Sequence, residues 1–275
     1  MSLSDSGFLD IGDQRLEYRM IGPRPDSAPT ILMLHEGLGC VGMWGDFPDR
    51  LQKATGLGVF VYSREGYGQS SLASLPRPMH FMHNEARDTL PKILDAIGFQ
   101  RGFLVGHSDG ASIAAIYGGS HQDHRVSGTV LIAPHFIVED VTIASIAEMR
   151  KAYDTTELRA RLARYHADVD ATVHGWSDVW LKGDFRKWDL TEFLAYIRVP
   201  VLIVQGEGDQ YGTVRQIEIA QEECYCPVEV ALLPDAKHVP QREAPEATMK
   251  AVTEFIERVR QNEMAGIKPA IASSP

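Results

Sequence analysis

The chain has 275 residues, 44% hydrophobic and 23% charged, a size and composition that suit a soluble enzyme of one large domain or a domain carrying an insertion. A formal net charge of -10 argues against nucleic acid and anionic membranes as partners, since both need basic patches, and leaves a small-molecule substrate as the expected partner; no stretch is apolar for long enough to span a bilayer. Cys40, Cys224 and Cys226 form neither a disulfide framework nor a zinc spacing, and the N-terminus lacks a basic region followed by an apolar one, so free thiols in the cytoplasm are expected.

Residues 7–20 alternate around a Gly-Asp break and predict a hairpin. Residues 30–34 (TILML) predict a strand that ends in the Gly-rich loop HEGLG, and residues 58–62 (GVFVY) a second strand followed by SREGYGQS. Apolar residues at helical spacing predict a helix over 83–98. A short strand at 103–105 runs into GHSDG, a small-residue helix covers 111–117, and a strand follows at 126–133. Alternating strands and helices predict an α/β architecture, a parallel sheet with helices on both faces. From 135 to 198 no buried strand is predicted; helical patterns at 141–153, 156–165 and 171–181 fill the stretch, with Trp176, Trp180 and Trp188. The strand pattern returns at 199–206, then a helix at 214–224, a strand at 228–233 and a helix at 245–259. The expected organisation is a core of residues 1–134 and 199–261, a helical insertion at 135–198, and a flexible tail at 262–275.

Gly106-His107-Ser108-Asp109-Gly110 is a G-x-S-x-G sequence between a predicted strand and a predicted helix. A nucleophile on such a sharp turn needs small residues two before and two after it, and the helix behind it aims its N-terminal dipole at developing negative charge. A serine hydroxyl needs a base to take its proton, and the base needs an acid to hold its tautomer. Asp209 and His238 follow in that order, each in a loop just past a predicted strand. Glu139 and Asp140, after the strand at 126–133, are alternative acids. Two N–H donors are needed for the oxyanion: one is expected from Asp109, and the other from Gly37 or Leu38 in the HEGLG loop. Phe136, Trp176, Trp180 and Tyr211 are candidates for an acyl pocket, although the tryptophans suit an insertion core equally well. His80 and His83 lack a third ligand at metal spacing, and no metal site is expected.

These motifs together resemble the α/β-hydrolase superfamily, in particular its bacterial esterase-like members with a helical cap. HEGLG, the Tyr62–Ser70 loop, GHSDG, GEGD and the Lys237-His238 loop carry the resemblance over nearly the whole chain. It implies an eight-stranded, mostly parallel sheet, a lid formed by residues 135–198, acyl transfer through a covalent acyl-enzyme, and no cofactor. Two positions depart from the family pattern: Glu36 follows His35 where Gly is common, and Asp109 follows the nucleophile where Gly, Met or Gln is more usual. Both put acidic groups beside the site, with His107 within the elbow as a further polar neighbour. The expected activity is serine hydrolysis of a carboxylic ester, with lactone, thioester or C–C bond hydrolysis using the same apparatus. The rivals are a ligand-binding protein on the same fold and a cofactor-free, non-hydrolytic enzyme. Oligomeric state is not read from the sequence.

Overall fold

The apolar runs between glycine-bearing loops become eight strands in a computed structural model, which describes residues 3–267. A hairpin of β1 (Ser6–Ile11) and β2 (Gln14–Ile21) turns at Gly12, whose φ of +63° only glycine adopts freely. The chain continues through β3 (Thr30–Leu34), α1 (Phe47–Thr55), β4 (Gly58–Tyr62), α2 (Phe81–Asn84) and α3 (Leu90–Ala96). Next come β5 (Gly102–His107), α4 (Asp109–Ser120) and β6 (Val126–Ile132). Helices α5 (Asp140–Thr155), α6 (Leu158–Leu162), α7 (Val169–Trp180) and α8 (Thr191–Leu194) separate β6 from β7 (Val201–Gly206). The chain closes with α9 (Arg215–Glu223), β8 (Val228–Leu233), α10 (Pro240–Glu243) and α11 (Pro245–Met264).

The strand order is β1-β2-β4-β3-β5-β6-β7-β8. The pairs β1–β2 and β2–β4 are antiparallel and the rest are parallel. This is the eight-stranded, mostly parallel sheet that the resemblance implied. Successive residues on a strand face opposite ways, and both faces of the central strands are covered. On one face Ile31, Met33, Val59 and Val105 pack with Phe47 and Leu51 of α1 and Val252 and Phe255 of α11. On the other, Leu32, Leu34, Phe60 and Leu104 pack with Ile93 of α3 and Ile113 of α4.

Several boundaries differ from expectation. The helix expected over 83–98 is α2 and α3 joined by a wider π turn over Glu85–Thr89. Pro91 has no N–H to return to the preceding turn and its ring crowds that turn, so the helix widens before it. Helix α1 had no counterpart in the sequence reading: it is short, and it buries Phe47, Pro48 and Leu51 while the rest is polar. The helix expected over 156–165 forms only at Leu158–Leu162. Helix α11 runs to Met264, past the expected end of the core at 261; residues 268–275 of the expected tail lie outside the described residues.

Chain order places the site. After β3 the chain moves to β4 on one side, and β5 returns on the other, so the loops leaving β3 and β5 diverge at one edge of the sheet. A crevice opens where strand order reverses. The loops after β4, β7 and β8 leave the same edge.

Candidate active site

Ser108 stands at the turn from β5 into α4 with φ 53° and ψ -118°, a conformation that non-glycine residues rarely adopt. The surroundings hold it there: its N–H donates to the Ile132 carbonyl at 2.9 Å, and its own carbonyl accepts from Ala111 and Ser112 at 2.9 and 3.0 Å. A Cβ on Gly106 would come within 2.2 Å of the Gly110 carbonyl oxygen, and one on Gly110 within 2.1 Å of the Leu34 carbonyl oxygen. The small residues expected on either side of Ser108 are therefore required by backbone on both sides.

His238, past β8, brings its Nε2 to 3.0 Å from Ser108 Oγ, while its Nδ1 lies 2.9 and 3.0 Å from the two carboxylate oxygens of Asp209. An ionised carboxylate only accepts, so the neutral ring carries its proton on Nδ1 and offers Nε2 to the serine O–H. Asp209 is fixed in turn by N–H donation from Tyr211 at 2.8 Å and Gly212 at 3.2 Å. Burial pushes the Asp209 carboxyl up, but the His238 bond and charge and the Tyr211 N–H outweigh it, and the carboxyl ends below its usual range. Serine and histidine are both nearly closed off, at 6% and 7% exposure. The alternative acids lie elsewhere: Glu139 accepts from Thr213 and Gln216, and Asp140 pairs with Arg186.

The HEGLG loop, leaving β3, is built around one peptide. The Glu36 carbonyl accepts from His35 Nδ1 at 2.7 Å, from Arg64 Nη2 at 3.1 Å and from Gly39 N at 3.1 Å. The His35 tautomer is dictated, because its Nε2 accepts the Arg64 backbone N–H at 3.0 Å and must be bare. Burial, then Arg64, keeps His35 well below the usual histidine range. Among the described residues, the N–H groups of Gly37 and Leu38 donate to no protein acceptor. His166, between α6 and α7, accepts from Gly68 N at 3.0 Å and donates from Nε2 to the Leu38 carbonyl at 3.0 Å. Trp176 of α7 lies against Gly37 so closely that a Cβ there would meet the indole nitrogen at 2.2 Å.

A cavity of about 230 Å³ opens over Ser108. Of the expected lining residues, Glu36, His107, Trp176, Trp180 and Tyr211 are present, together with Gly37, Leu38 and Asp109. Phe136 is not: it is fully buried within the core, its backbone N–H held by Gln216, and this corrects its expected place in the pocket. The sequence reading missed His135, Ile146, Met149, Gln210 and Val239, which also line the cavity. Tyr211 stacks obliquely on His238 at 4.5 Å between ring centroids.

Both acidic departures are anchored. Trp176 Nε1 donates to Asp109 Oδ2 at 2.9 Å, and Arg64 Nη2 is 3.9 Å from the same oxygen. Burial raises the Asp109 carboxyl against the pull of Arg64 and the indole N–H. Burial also pushes Glu36 up, but His107, 3.4 Å away, prevails and holds it at about 2. His107 Nε2 donates to the His238 carbonyl at 2.8 Å, tying the elbow to the histidine loop. His80 and His83 belong to no metal-holding group among the described residues.

A serine on a strand-to-helix elbow, a histidine and an aspartate past later strands, and a glycine loop past an earlier one are the layout of an α/β hydrolase. A sequence profile of the alpha/beta hydrolase family matches residues 31–251, and the chain belongs to that family, classed with its hydrolases. It is 25% identical over 253 residues to 3-oxoadipate enol-lactonase 1 of Acinetobacter baylyi, an alignment covering 86% of this chain and 91% of that relative. It is 26% identical over 124 residues to a proline iminopeptidase of Lactobacillus delbrueckii subsp. bulgaricus, covering 45% of this chain and 42% of that relative, less than half its length. Among solved structures, the enol-lactonase from Burkholderia xenovorans LB400 matches with a TM-score of 0.71 at 21% identity, over 91% of this chain and 100% of that one.

Proposed function

We propose that the protein hydrolyses a small, uncharged carboxylic ester or lactone by way of an acyl-enzyme on Ser108. The observation that carries this reading is the hydrogen-bonded line from Asp209 through His238 to Ser108 Oγ. Ser108 attacks the carbonyl carbon as His238 takes its proton, and Asp209 holds the resulting imidazolium. The N–H groups of Asp109 and of the HEGLG loop receive the oxyanion. His238 returns the proton to the departing alkoxide; water, activated by the same histidine, then releases the acid.

The cavity walls support this substrate class. Ile146, Met149, Trp176, Trp180 and Tyr211 offer apolar surface, and about 230 Å³ accommodates a small acyl group. Carboxyl groups of Glu36 and Asp109 on the same wall disfavour an anionic acyl chain. Similarity to an enol-lactonase along most of both chains brings lactones into the reading. Residues 135–198 act in it as a lid, since Ile146, Met149, Trp176 and Trp180 come from that segment. No helix among the described residues is long and apolar enough to cross a membrane, and the three free cysteines suit the reducing cytoplasm.

The test is labelling with a fluorophosphonate probe, read by intact mass. One adduct on the wild type and none on Ser108→Ala is the expected result. A folded wild type that takes up no probe would overturn the reading in favour of a binding protein.

A further inference from the structure

We propose that Arg64 is a positioning residue for the oxyanion hole, holding the HEGLG loop and the nucleophile elbow in the relation that lets both present an N–H to one oxygen. The inference rests on the acyl-transfer reading above.

Arg64 follows β4, which lies beside β3, and β5 lies on the other side of β3. From there its guanidinium spans the loop after β3 and reaches toward the elbow after β5. Nη2 donates to the Glu36 carbonyl at 3.1 Å and faces Asp109 Oδ2 at 3.9 Å. The Glu36–Gly37 peptide is trans, since Leu75-Pro76 is the only cis bond among the described residues. In a trans peptide the N–H points opposite to the C=O. With the Glu36 carbonyl held by Arg64, His35 and Gly39, the Gly37 N–H is turned away from all three, toward the cavity that Gly37 lines. This presents the Gly37 N–H as a donor from the loop to the oxyanion. The second donor, the Asp109 N–H, belongs to the residue whose carboxylate Arg64 faces. That carboxylate would oppose a developing oxyanion, and the guanidinium offsets it.

Arg64 is 3% exposed, and its ring neighbour Tyr67 sits 4.9 Å below the guanidinium carbon. A buried cation is costly unless paired and hydrogen-bonded, which a solely structural position filled by an apolar side chain would avoid. One nitrogen, Nη2, faces both the carbonyl and the carboxylate, and the planar guanidinium lying over the Tyr67 ring fixes where that nitrogen stands, which a flexible lysine ammonium does not.

The test compares wild type, Arg64→Lys and the charge-neutral pair Arg64→Met/Asp109→Asn in p-nitrophenyl acetate turnover, with melting curves for each. The double variant removes the cation together with the carboxylate it faces, and Glu85, which Arg64 also offsets, keeps its Tyr62 O–H bond and Arg77, so the pair guards against simple unfolding. The expected result is kcat reduced ~10-fold in Arg64→Lys and ~10²-fold in the double variant, with KM within threefold, as for loss of an oxyanion donor. Two results would overturn the inference: cooperative folding with wild-type kcat in both variants, or a rise in KM that accounts for the whole loss. A wild type inert to both ester and fluorophosphonate overturns the hydrolase reading itself, and this inference with it, whereas an active wild type with unchanged variants overturns this inference alone.

Discussion

Asp209 accepts from three N–H donors, one of them His238 Nδ1, which lies between its two carboxylate oxygens, and this fixes which nitrogen of the imidazole faces Ser108. Asparagine at 209 would keep the shape but present an amide that can stabilise the wrong tautomer. Asp209→Asn is expected to lower kcat by up to ~10⁴ in ester turnover, whereas Asp140→Asn, whose partner is the exposed Arg186, should stay within twofold. A loss below tenfold in Asp209→Asn would contradict the proposed acid. Ser108, Asp209 and His238 were legible in the sequence because each follows a β-rich run, and a parallel sheet puts all such ends on one edge. Arg64 and His166 were not. Both stand in polar loops, where charged and polar residues ordinarily face water, and only the closure of neighbouring loops buries them.

At the scale of elements, α7 does more than cover the cavity. Its Trp176 gives Asp109 Oδ2 its one direct donor, while Gly37 leaves room for the indole. Trp176→Phe retains a ring of similar placement and removes the N–H, leaving a buried carboxylate oxygen without that bond. It should cost about 1–3 kcal/mol in urea unfolding, and Asp109→Asn in the same background should recover part of it. Full stability in Trp176→Phe would mean that the bond contributes nothing. The eight strands were legible from short β-rich runs between turn signals. Helix boundaries were less so: Pro91 widens the turn before it, and α1 shows too short an apolar pattern to stand out from a loop.

Across the whole molecule, burial sets how stability responds to acid. His35, His135 and His166 are each buried, and burial is the first cause that lowers all three; His135 falls to about 3, with the His238 charge adding to the effect. The unfolded chain takes up these protons near the ordinary value of 6.5, whereas the folded protein resists them. Their contribution is therefore complete above pH 6.5 and is lost as pH falls from there toward the folded values. Each such histidine adds a slope of up to about 1.4 kcal/mol per pH unit in that window. Urea midpoints at pH 7.5, 6 and 5 should fall steadily in the wild type and less steeply in His135→Gln. Equal slopes would show that His135 protonates as easily folded as unfolded.

The sequence by itself determined what depends on local pattern and chain order. Alternation of β-rich and helical stretches dictates a parallel sheet, G-x-S-x-G between strand and helix marks the elbow, and the order serine, aspartate, histidine follows from which loops leave the same edge. Only the tertiary structure decided what depends on residues distant in the chain meeting in space. Trp176 reaches Asp109 across 67 positions and His166 reaches Leu38 across 128, and no periodicity records such pairs. The same holds for Phe136, an aromatic residue just past a strand end, where a pocket wall and a core residue look alike. Packing within the main core cluster, not its type or place in the chain, buried it.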